Sequence, residues 1–427
     1  MTQALGPRRG RWPLRDLPVV LWLLAVVVVS LLHALVPAPR WLVIHLLLLG
    51  AVSNAIMVWS RHFADALLHT APRDGARRLQ SVRLLLLNSG VIGVLTGVLS
   101  GLWPVTALGA TAVAAAAAWH GVALVQLTRR ALPSRFGATV RYYVAAACFL
   151  PVGAALGTTL ARGVPGRLHE QVTVAHATAN VLGWMGLTVV GTLVTLWPTM
   201  LRTRIAAGSE RAARRALPIL VLAILVAVGG ALIGLRALVA LGIVGYLTGL
   251  GLVARPFVAA ARSKAPSSYP TWSVLAGLVW LLGCLSSLAV GIGTASSWAV
   301  AGDRLGSVAP FLAAGFGAQL LLGALSYLLP MALAGGPAPV RAANAVMDRG
   351  GALRIVLVNA GLLVCALPVP GVVRATCSAL VLGGLTSFLP LLFLAIRASR
   401  QAKRVPVSTQ RGPPRPPTPS PSPSPSP

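Results

Sequence analysis

This chain predicts an all-α membrane protein of about twelve transmembrane helices, and three observations carry that expectation. Of its 427 residues, 56% are hydrophobic and only 10% charged, against roughly a quarter charged in soluble domains. Mean hydropathy is +0.81. Windows of about 19 residues resolve twelve apolar spans, each near the length that carries a helix across a bilayer.

The spans fall at 17–36, 41–60, 83–101, 104–128, 142–161, 172–198, 217–235, 237–256, 270–293, 308–332, 353–372 and 374–396. Pro368 and Pro370 interrupt the eleventh. The chain divides into a basic segment 1–16, a polytopic bundle 17–396 and a tail 397–427, basic at first and then Pro/Ser-rich. From 405 the tail's composition cannot bury apolar surface, which predicts disorder. The opening GPRRGRWPLRD and the apolar run behind it imitate a secretory signal. That run is too long for one, and Pro39 follows the small residue Ala38 where cleavage would fall. An uncleaved first helix is expected.

The formal charge of +29 raises nucleic-acid binding, but its distribution argues against it. With the N-terminus inside, all but six of the 36 Lys and Arg lie in cytoplasmic segments. The six, Arg40, Arg162, Arg167, Arg236, Arg304 and Arg374, are scattered over the outer loops. This is the positive-inside pattern. It predicts a plasma-membrane protein with both termini cytoplasmic and no nucleic-acid partner. Loops such as 202–215 (RTRIAAGSERAARR) then lie against anionic membrane lipid.

Faint internal repetition points to three four-helix units. Spans 2, 6 and 10 contain LLGAVSNAIMVWSR, VVGTLVTLWPTMLR and LLGALSYLLPMAL, which align on Gly50, Gly191 and Gly323. The last two reach Pro198 and Pro330 after the same seven-residue step. Gly93, Gly97 and Gly101 form one ridge of small residues, and Gly242, Gly245 and Gly249 another. Both predict close helix approach. Cys148, Cys284, Cys365 and Cys377 stand singly, without a Cys-x-x-Cys, and read as small core residues.

Little chemistry is available inside the bilayer. The seven acidic residues, Asp16, Asp65, Asp74, Glu170, Glu210, Asp303 and Asp348, all fall outside the apolar spans. That argues against proton-coupled transport and carboxylate-based hydrolysis. What remains is histidine. All seven, His33, His45, His62, His69, His120, His169 and His176, precede residue 177. Neutral imidazole is a good ligand for haem iron or copper. His45 and His176 are the outer-side candidates that lie deepest, with His33 and His120 as weaker metal candidates. His62 and His69 are seven apart and share a face if the second helix continues through them. His33 and His169 lie near the aqueous boundary.

The stretch VAHATANVLGWMGLTVVGTLVTLWPTM, with His176 placed 22 residues before Pro198, resembles the helix of haem–copper oxidase subunit I that supplies a low-spin haem ligand. Span 2, HLLLLGAVSNAIMVWSRHFADALLH, resembles the NnrS-type membrane proteins, whose pattern His45, Arg61 and His69 match. The architecture of residues 15–400 also resembles bacterial (actinobacterial) "copper oxidase" membrane modules, here without their multicopper-oxidase domain. These resemblances imply twelve helices in three four-helix units. They also imply haem b or copper as cofactor, a redox or nitric-oxide-related role, and a separate cupredoxin or multicopper-oxidase protein as partner.

Departures from the oxidase pattern matter as much. Span 10 offers Gln319 and Tyr327 but no histidine, so an oxygen-reducing binuclear centre cannot be built and a proton pump is not expected. A bound haem would take its ligands from His176 with His45, or from His33. If the inner ends at Arg61 and Pro198 align, His45 lies about 24 Å and His176 about 33 Å outward, a mismatch of about 10 Å. Two functions of other classes compete: a transporter or channel through the bundle, and a non-catalytic membrane scaffold.

Overall fold

In hydrocarbon the backbone must pair its N–H and C=O groups within the segment, so long apolar runs become helices. A computed structural model of the protein describes residues 13–70, 75–132, 137–334 and 336–404. Its long elements are α1 (Pro13–Leu31), α2 (Pro39–Leu67), α3 (Ala76–Leu99), α4 (Trp103–Arg130), α5 (Gly137–Ala161), α6 (Gly166–Leu201) and α7 (Ser209–Leu232). They continue with α8 (Arg236–Ser263), α9 (Tyr269–Gly293), α10 (Trp298–Ala332), a short α11 (Pro337–Met347), α12 (Gly351–Cys365) and α13 (Gly371–Arg404). Among the described residues 10 helices are long and apolar enough to cross a membrane, and two shorter apolar ones, Asp16–Leu31 and Gly351–Cys365, bring the apolar helices to about twelve. The chain is an all-α integral membrane protein. The expected disordered tail from 405, and Asp74, lie outside the described residues.

Three four-helix units follow one another: α1–α4, α5–α8, and α9 to α13 with α11 as an extra short helix. In each unit the second long helix carries a π-helical stretch, Leu46–Val52 in α2, Ala179–Gly186 in α6 and Leu312–Ala318 in α10. Within each stretch one glycine faces an aromatic ring of the preceding helix, Gly50 on Trp22, Gly183 on Phe149 and Gly315 on Trp280. A Cβ at any of the three would collide with that ring. The equivalent glycines are therefore Gly50, Gly183 and Gly315. This corrects the alignment on Gly50, Gly191 and Gly323: the last two do correspond, each eight residues past its ring-facing glycine, but Val58 stands there in the first unit.

Units one and three also share a polar network. The Trp22 indole donates to Asn88 Oδ1 (2.6 Å), the Asn88 amide to Asn54 Oδ1 (2.8 Å) and the Asn54 amide to the Gly50 carbonyl (2.8 Å). In unit three the Trp280 indole donates to Asn359 Oδ1 (2.8 Å), Asn359 to Gln319 Oε1 (3.0 Å) and Gln319 to the Gly315 carbonyl (3.0 Å). Unit two replaces the tryptophan with Phe149 and the amide with Leu187, four residues past Gly183, so it has no polar groups there to satisfy.

Helices three and four of each unit pair through small residues. Gly97 meets Thr106, Gly109 meets Val94, Gly242 packs on Ala227, and Gly361 and Gly384 join α12 to α13 through Val381 and Val358. Without a hydrophobic drive between helices in lipid, such close approach supplies the dispersion contact. Gly101 is not part of the ridge. It adopts φ +70° in the turn after α3, where the Leu102 N–H reaches the Gly97 carbonyl (2.9 Å). Gly234 (φ +78°) repeats this closure after α7, with Leu235 bonded to Gly230 (2.8 Å). Both are left-handed C-terminal caps, a geometry that favours glycine.

One further expectation needs correction. Of the four cysteines only Cys284 is buried; Cys148 is exposed and Cys365 and Cys377 are half-buried. Asp16, at the first turn of α1, is buried within the bundle at 4% exposure, its Oδ1 accepting the Trp59 indole (3.1 Å). Its buried position is possible because helix α2 covers it.

Candidate functional site

The N-terminal parts of α2 and α6 bring His45 and His176 together. Their ring centres are 6.2 Å apart and their planes 26° from parallel. A depth mismatch was expected because Arg61 and Pro198 were taken as equivalent inner ends. The π stretches set a different register. His176 lies seven residues before Gly183 and His45 five before the equivalent Gly50, which leaves a two-residue offset, about 3 Å of rise.

Each imidazole is held from behind. His45 ends the regular first part of α2, and its Nδ1–H donates to the Trp41 carbonyl one turn earlier (2.8 Å). The Trp41 ring stacks on His45 at 4.1 Å and 27°. His176 donates its Nδ1–H to the Gly153 carbonyl of α5 (2.9 Å). A carbonyl can only accept, so both Nδ1 atoms carry the proton and both Nε2 atoms are left as lone pairs. A histidine ligand is oriented by this kind of backbone bond on its other nitrogen.

Two glycines of the α5 sequence PVGAALG make the fit. A Cβ at Gly157 would lie 2.9 Å from His176 Cε1, and one at Gly153 would overlap the Asn180 amide. Asn180, one turn beyond His176, donates to the His176 carbonyl (2.8 Å). The same amide nitrogen lies 3.4 and 3.5 Å from the two ring nitrogens, so it sits over the ring face. Sequence reasoning missed Trp41, Gly153, Gly157 and Asn180. The small-xxx-small spacing of Gly153 and Gly157, and the i, i+4 placement of Asn180, were the available signals.

The other candidates go elsewhere. His33 is exposed in the 3₁₀ turn His33–Leu35 and bonds its own Ser30 carbonyl (3.0 Å). His120 is buried in α4 at 1% exposure, with Nε2 on Ser60 Oγ (2.8 Å). Ser60 is fifteen residues along α2 from His45, about 22 Å of rise. His169 is exposed. Arg61 pairs with Asp65 (3.0 Å). His62 is exposed and stands edge-on to Trp59 (5.5 Å). His69 does not share its face: α2 ends at Leu67, and His69 follows with φ +51°. Among the described residues no three His, Cys, Asp or Glu side chains gather at one point. Compared with known proteins, the chain matches no family model and no curated protein.

Proposed function

We propose that this integral membrane protein is a metalloprotein, with one copper ion held between His45 and His176, serving redox or nitric-oxide-related chemistry. The imidazole pair carries the proposal. Two imidazoles bound in line to one ion at about 2 Å per nitrogen would stand with ring centres about 6 Å apart, and these stand at 6.2 Å. Imidazole suits copper. Two neutral donors with no acidic group beside them leave the charge of the ion uncompensated in a low dielectric, which favours the monovalent over the divalent state. When bound, copper supplies one-electron chemistry there. The chain's part is positional: the Trp41 and Gly153 carbonyls hold the Nδ1 protons, and Gly153 and Gly157 let α5 approach.

Haem iron is the second reading, favoured by the same ring separation and by the resemblance of the α6 sequence to an oxidase haem helix. The Trp41 ring on His45 and the Asn180 amide over His176 leave a bare ion the better fit. A separate cupredoxin or multicopper-oxidase protein is the proposed electron partner. Purified protein in detergent tests both versions through an optical spectrum and a metal assay. Near-stoichiometric copper, lost in His45→Ala and in His176→Ala, is expected. A Soret band would replace copper with haem, and neither signal would remove the proposal.

A further inference from the structure

Further along α2 and α6 from the imidazole pair, these helices and α10 line a half-open pocket of about 80 Å³. Its wall is mostly aliphatic, including Ala55, Ile56, Met185, Leu193, Ala324 and Leu325, with the aromatic Trp59 and Phe63. The polar groups on it are already engaged. Ser60 Oγ bonds His120 (2.8 Å), Thr188 Oγ1 donates to the Trp184 carbonyl (2.8 Å) and Thr192 Oγ1 to the Thr188 carbonyl (2.7 Å). The Tyr143 hydroxyl also meets Thr192 Oγ1 (3.0 Å), and the Trp59 indole is taken by Asp16. Water in such a space would lack the two to four partners that hold it, so the pocket favours an apolar guest over water. An apolar cavity of about 150 Å³ takes benzene or xenon; about half that volume suits a smaller guest.

We infer that this cavity is a binding site for an uncharged molecule of diatomic-gas size. The wall begins at Val52 on α2 and Met185 on α6, seven and nine residues past His45 and His176, about 10 and 13 Å of rise. Resting on the metal reading, this deepens it by naming the substrate class: a small neutral gas that concentrates in apolar space about 10 Å from the metal. Charged or strongly hydrated substrates are excluded, since no group on the wall is free to replace their solvation.

Xenon is the probe. The full chain in nanodiscs, followed by ¹²⁹Xe exchange spectroscopy, is expected to show one saturable site. Ala324→Phe, which fills the space, abolishes it; Ala55→Val, a milder filling, weakens it severalfold; and Leu325→Ala, which enlarges it, keeps it. Metal content is measured on the same samples. Saturable xenon without metal sinks the metal reading and leaves the site standing. Metal without saturable xenon, or a lipid acyl chain resident in the space, overturns the site alone.

Discussion

At the scale of single residues, the imidazole pair depends on glycines more than on the histidines' own helices. Gly157 stands where any side chain would strike the His176 ring, and Gly153 supplies the carbonyl that fixes its proton. Gly157→Val should therefore tilt the ring while leaving both ligands in place. Loss of such orienting support lowers metal affinity by about 10- to 100-fold. A competition titration against a copper chelator measures it, with Gly283→Val, on an open face of α9, as the control; an unchanged affinity would separate ring orientation from binding. At this scale the sequence was half legible. Histidine crowding marked His45 and His176, because an imidazole in lipid needs a partner. Their partners were hidden, since Trp41 and Gly153 act through backbone carbonyls that have no letter of their own.

Among elements, the helices themselves were legible from hydropathy, and their register was not. A π stretch changes the residue count per turn without any change in composition, so matching Gly50 to Gly191 by neighbouring letters slipped against the packing. The aromatic-on-glycine contacts set the true register. Likewise the left-handed turn at His69 ends α2 where the apolar pattern alone continues it. The repeat carries its own expectation. Asn88→Ala strands the Trp22 indole and the Asn54 amide, and Asn359→Ala strands Trp280 and Gln319. Each should destabilise the bundle by about 1 kcal/mol, the scale of interhelical hydrogen bonds in membranes. Thermal unfolding in detergent should show two similar shifts. A large shift for one and none for the other would deny that the networks are equivalent.

For the whole molecule, three units surround the helices α2, α6 and α10, and only the first two units supply imidazoles. The asymmetry is plain in the sequence, since no histidine follows His176. It would confine a metal held by two imidazoles to the interface of units one and two, and leaves the third unit to complete the apolar centre through Gly317, which packs on Leu48 and Met185. The arginine-rich loops should face the cytoplasm. His33→Cys and His69→Cys, both exposed and at opposite ends, test this in a cysteine-free background. An impermeant maleimide added to intact cells should label the first and spare the second; the reverse would invert the topology and move the imidazole pair to the cytoplasmic side.

The measurement that bears most directly on the central claim is copper K-edge X-ray absorption on the purified, copper-loaded chain. Two imidazole nitrogens at about 2 Å, reduced to one in His45→Ala and in His176→Ala, is the result expected. A spectrum dominated by sulfur, or one that both substitutions leave unchanged, would show that the paired rings hold no metal.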